Sequence, residues 1–182
     1  DEETKALAAT RYQVDDRMEA AKRLYEGAVA LRKMLDDKMD VRAQIIRNNT
    51  NLLQELNKVS NLNQSIMEKE IFISDQSKSK SEELQKERAE LKRAEDRISN
   101  ISDNLNEFAF TKEGVGIENM VNEWLIALVN EAKAEAEMKV LESRQQDIFD
   151  QYSHMSPVGT QVNRKERSIS IAEDNYRTQL SG

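Results

Sequence analysis

Apolar side chains recur every seven residues from Leu31 to Ile73, through Ile45, Leu52, Val59 and Ile66, with Lys38 the one charged rung. Such a spacing belongs to a long helix with one narrow seam to bury. The row four residues further on, Leu35, Arg42, Asn49, Leu56, Asn63 and Glu70, is mostly polar. Polar residues facing a partner helix trade stability for register, unless the stripe has rotated them into solvent. A third row, Met39, Ile46, Leu53 and Met67, widens the stripe, so more than one neighbouring helix is expected along part of it.

Composition reinforces the helical reading. Compact folds need turns, yet the 182 residues include five glycines and one proline, while 34% are charged and 5% aromatic. The fold class expected is all-α: one elongated antiparallel helical hairpin or coiled coil of about four segments spanning residues 1–182.

The first helix is placed at about 6–73, with Met18, Leu24, Tyr25, Ala28 and Leu31 on one face and Gly27 tolerated inside it. At 1.5 Å per residue it would run about 100 Å. Ser74 to Glu83 has no apolar side chain, and Ser79 with Glu82 has capping-box spacing, which reads as a hairpin tip. Alternatively the helix continues through a stutter and turns at 112–116, because Ile73 to Leu84 is close to three full turns.

Leu84, Leu91, Ile98 and Leu105 form a second ladder on a helix at about 82–111, ended by Gly114 and Gly116, which supply left-handed turn conformations. A third helix is expected at 117–151. Its stripe of Val121, Trp124, Leu125, Leu128 and Ala132 shifts to Ala134, Met138, Leu141, Ile148 and Tyr152, so its partner surface should change midway. The residue before Pro157 is pushed out of the helical region, and Pro157 opens a fourth helix at 157–181 carrying Val162, Ile169 and Tyr176.

Reactive constellations are not apparent in this pattern. Asp15-Asp16, Asp36-Asp37 and Glu82-Glu83 are adjacent pairs that point about 100° apart on a helix, so each reads as solvated surface. His154 stands without an acidic neighbour in an expected loop, and Gly114-Val115-Gly116 lacks the third glycine and the strand of a phosphate loop. Asn48-Asn49-Thr50 and Asn100-Ile101-Ser102 match the glycosylation pattern but fall within expected helices. The net charge of −7 comes from interleaved acids and bases with no basic stripe, which disfavours nucleic acid. Cysteine is absent, so neither disulfides nor thiolate metal sites arise. No cofactor, metal or catalytic role is expected.

The C-terminal stretch is more distinctive. Tyr152, Ser156-Pro157-Val158-Gly159-Thr160, Arg164-Lys165-Glu166-Arg167-Ser168-Ile169, Ala172-Glu173 and Tyr176 resemble a recurrent segment of bacterial polysaccharide co-polymerases, the Wzz-type chain-length determinants and related exopolysaccharide exporters. Gly114 to Asn119 and the Trp124 helix are also similar to members of this group, so the likeness covers about the last 70 residues. It implies the periplasmic helical hairpin of a larger inner-membrane protein whose membrane helices and α/β base lie elsewhere. It further implies homo-oligomers working with a polysaccharide polymerase or export machinery and its glycan. Tyr152, Pro157, Gly159, Arg164, Glu166, Arg167, Glu173 and Tyr176 would then shape the turn and the contacts to the base or an adjacent subunit. The competing reading is an intracellular tethering coiled coil, such as an arm of a chromosome-maintenance ATPase.

Overall fold

The computed structural model describes residues 1–72, 78–101, 103 and 117–155. These residues form an all-α structure of five helices: α1 (Glu2–Met39), α2 (Val41–Arg47), α3 (Thr50–Phe72), α4 (Lys78–Ile101) and α5 (Glu118–Met155). They belong to two compact units, residues 18–140 and a second made of 1–17 with 141–155.

The 100 Å helix expected over 6–73 does not exist. It is broken twice, at Asp40 and at Asn48-Asn49. Asp40 is the one non-glycine residue with positive φ among those described, at φ 59° and ψ −132°. That region is sparsely populated by anything but glycine and costs on the order of 1–3 kcal/mol. What offsets the cost is burial. The bend turns Met39, Ala43 and Ile46 into the core, and complete burial of a side chain the size of Met39 or Ile46 contributes about 1.5–3 kcal/mol. At the second break, Asn49 sits immediately before α3, and its Oδ1 accepts from the amides of Asn51 (2.9 Å) and Leu52 (3.1 Å). Asn49 is therefore a helix N-cap, not the register residue that its place in the ladder suggested. Asn48 is exposed at this turn, so the first glycosylation-pattern match lies outside a helix after all.

Within residues 18–140 the contacts fix an up-down-up-down arrangement. Arg32 reaches Glu131 while Asp36, four residues on, reaches Trp124, so α1 and α5 are antiparallel. Asn63 of α3 meets Lys133 and Glu137, back level with Arg32, so α3 retraces the path of α1. The α4 helix then runs antiparallel to α3: Glu70 pairs with Arg88 at 2.7 Å and Glu55 with Arg97 at 3.0 Å. Pairing of α3 with α4 supports the hairpin alternative over the stutter. Residues 78–83, assigned to the tip, already belong to α4, while 73–77 lie outside the described residues. The core joins Leu52, Val59 and Ile66 of α3, Leu91, Ala94 and Ile98 of α4, and Val121, Trp124 and Leu125 of α5 to Leu35 and Met39 of α1. A wide stripe on α3 thus does face two helices, α4 and α5.

The other unit places Leu7 and Val14 of α1 and Leu141, Ile148 and Phe149 of α5 in the interior. Gln145 donates to Asp15 Oδ1 at 2.8 Å, and the Arg11 guanidinium lies 5.8 Å from the centre of the Tyr152 ring, an antiparallel pairing. His154 and Met155 form the last turn of α5, which overruns the expected stop at 151.

The bends reset the phase of the ladder. Ile45, a rung by spacing, is 51% exposed, and its neighbour Ile46 is buried at 1%. Leu53 and Leu24 are also exposed, against expectation. Leu52, Val59, Ile66, Leu91 and Ile98 are buried, and Leu31 and Leu84 pack at the edge of the core. Ile73, Leu105, Gly114 and Gly116 lie outside the described residues. Replacing Leu52 by Ala should cost about 2–5 kcal/mol of unfolding free energy, whereas Ile45→Ala should stay within about 0.5 kcal/mol. Urea denaturation followed by circular dichroism measures both, and equal losses would contradict the bent arrangement.

Candidate functional site

Four polar side chains meet between α1 and α5. Arg32 and Asp36 stand one turn apart on α1, which puts them on one face. The Arg32 side chain is 7% exposed. Its Nε donates to Glu131 Oε2 at 2.6 Å and its Nη2 to Glu131 Oε1 at 3.3 Å, a two-pronged grip, and its Nη1 donates to Asp36 Oδ2 at 2.8 Å. The other oxygen of Asp36, Oδ1, accepts from Trp124 Nε1 at 2.6 Å, which satisfies the indole of a wholly buried tryptophan.

Burial of Arg32 pulls its pKa downward, but hydrogen bonds and charge from Glu131, then Asp36, outweigh burial and leave it raised. Tyr25, two turns earlier on α1, has its pKa raised above the ordinary 10.0, first by burial and then by the negative charge of Glu135 and Glu131.

A second polar contact lies on the far side of α5. Asn63 is buried, and its Nδ2 donates to the Lys133 carbonyl oxygen at 2.9 Å and to Glu137 Oε1 at 3.3 Å. Lys133 Nζ pairs with Glu95 Oε1 of α4 at 2.8 Å. Lys69 holds both Glu83, at 3.3 Å, and Glu87 across the α3–α4 pair. Each contact joins two helices at one longitudinal setting. A helix slipped by one turn would strand a buried charge or amide, so together they specify register. This is what the arrangement can do chemically: it aligns helices. Among the described residues no three His, Asp or Glu side chains converge as metal ligands.

Several residues singled out in the sequence take different roles here. Asn63 and Glu70, read as polar residues facing partner helices, do bridge helices, whereas Asn49 caps one. Asp36 was read as solvated surface and instead accepts from both Trp124 and Arg32. Asp15 accepts from Gln145 and Glu83 pairs with Lys69, both from side chains that keep much of their surface in water, as expected. Of the residues carrying the family resemblance only Tyr152 is described, half-buried near the end of α5. Pro157, Gly159, Arg164, Glu166, Arg167, Glu173 and Tyr176 lie outside the described residues. Sequence reasoning missed Arg32 and Glu131 altogether. The spacing of Arg32 and Asp36 was visible, but the same spacing serves thousands of solvent-exposed pairs.

Removing one partner of a buried ion pair leaves the other uncompensated, so Arg32→Ala should cost about 3–5 kcal/mol. Arg88→Ala, which breaks an exposed pair with Glu70, should cost less than about 1 kcal/mol; thermal or urea unfolding at neutral pH distinguishes them. Tyr25 holds its proton more tightly when folded. Its contribution is therefore complete below the unfolded-state pKa of 10.0 and is lost as pH rises through the higher folded value. As pH rises above 10.0 the melting temperature should fall more steeply for the parent than for Tyr25→Phe, and superimposable profiles would refute this.

Comparison with protein-family models, with curated proteins and with solved structures finds no match to this chain.

Proposed function

We propose that this chain is a non-catalytic helical scaffold: the periplasmic helical segment of a bacterial inner-membrane protein that regulates the chain length or export of a surface polysaccharide. The observation that carries the reading is the sequence from Tyr152 to Tyr176, where Pro157 and Gly159 precede an Arg-Glu-Arg and Tyr pattern similar to that of polysaccharide co-polymerases. A scaffold role agrees with the contacts between helices. Their polar groups are spent on one another, Arg32 on Glu131 and Asp36, Asn63 on α5, rather than arranged around an open reactive centre. In this reading the segment holds copies of the protein in register while the polymerase and glycan act elsewhere.

Helices that contribute by shape are sensitive to deletion but tolerant of surface substitution. Removing residues 31–110 from the protein that carries this segment should shift or collapse the length distribution of the cell's surface polysaccharide on a gel. Exchanging exposed charges such as Lys92 and Arg93 for glutamine should leave it unchanged. An unaltered distribution after the deletion would reject the assignment.

A further inference from the structure

Three observations at the α1–α2–α3 corner are individually odd and fit together. First, Asp40 occupies a backbone region that suits glycine, with φ 59° and ψ −132°, and its side chain makes no capping hydrogen bond in return. Second, the corner leaves Val41 59% exposed and Ile45 51% exposed on a helix of seven residues. Third, the seven-residue spacing of the sequence continues across the corner although the fold does not use it there: Leu31 and the charged Lys38 precede it, Ile45 lies exposed within it, and Leu52, Val59 and Ile66 follow. A chain selected only to bend here has no reason to keep Ile45 in step with Leu52. A breaker is missing too, since no glycine or proline stands between Gly27 and Gly114.

We propose that residues 40–49 are a hinge that opens into continuous helix, and that opening exchanges the α3–α4 hairpin reciprocally between two copies of this chain. The partner is argued from the contacts themselves. Asn63 with Lys133 and Glu137, Glu95 with Lys133, and the apolar core all join the hairpin to α5. A straightened chain loses every one of them unless an identical α5 supplies them again, and only a second copy carries that surface with that register. The exchanged form regains the contacts between the hairpin and α5, gives up those of the corner, the Asn49 cap among them, releases Asp40 from its positive φ, and puts Ile45 back in the row with Leu52 and Val59. This inference stands on the corner alone and does not depend on the polysaccharide reading.

The chain has no cysteine, so two can be introduced as the sole attachment points. Ala30 and Asn61 are exposed, and by the contacts of Arg32 and Asn63 they lie at the same level on α1 and α3. Spin labels on Ala30→Cys and Asn61→Cys, diluted with excess unlabelled chain so that intrachain pairs are read, should sit within about 25 Å in the closed form, as packed helices require. In the open form, thirty-one residues of helix place them about 46 Å apart.

Asp40→Val sets a β-branched side chain against the positive φ, and Asn49→Ala removes the cap of α3. Together they should move the intrachain distance to the long value and raise the dimer fraction, measured by light scattering, at least about tenfold with helicity retained. Asp40→Gly should hold the chain monomeric at the short distance. Adding Ile45→Asn to the double variant should return it toward monomer. The proposal is overturned if the double variant stays monomeric at the short distance, if it dimerises without the long intrachain distance, or if it loses helicity, since straightening requires the corner to become helix.

Discussion

Within residues 18–140 the arrangement depends on α5 acting as a common post. Its Trp124 and Glu131 engage α1, the Lys133 carbonyl and Glu137 engage α3, and the Lys133 ammonium engages α4. Three helices are thereby set against one, each by a polar contact. Apolar burial supplies the driving force, but leucine and valine rungs repeating every seven residues are nearly as well satisfied one heptad away. The buried Arg32 and Asn63 remove that degeneracy, because each has its partners at one setting only.

The same post explains why the chain bends where it carries no glycine. A straight first helix would have presented a seam of about 100 Å, longer than the 38 residues of α5 could cover. Folding back at Asp40 lets α3 and α4 share the surface of α5 and buries Met39 and Ile46 at the corner, a gain larger than the strain of one residue. The bend is therefore a collective outcome. It is dictated by what lies opposite, and the residues at the corner merely tolerate it.

A structure of this kind separates stability from recognition. Among the described residues Arg32, Asp36, Glu131 and Asn63 are engaged in holding helices in register. The polysaccharide scaffold reading and the hinge at 40–49 both draw on that property, the first from the resemblance of the Tyr152–Tyr176 run and the second from the strained corner.

The amino-acid sequence by itself determined the helical class, the burial of Leu52, Val59, Ile66, Leu91 and Ile98, and the changing stripe along α5, because apolar periodicity and a dearth of turn residues are local properties. It also pointed to Asn63 and Glu70 as residues that meet partner helices. Only the tertiary structure decided that the ladder from Leu31 is interrupted, that Ile46 rather than Ile45 enters the core, that Asn49 caps a helix, and that Asp36 serves Trp124 and Arg32. The reason is physical. Periodicity records which face of a helix is apolar, but whether a helix continues through Asp40 is a comparison between one strained residue and the area buried by folding back. That area belongs to α5, some eighty residues away in the chain.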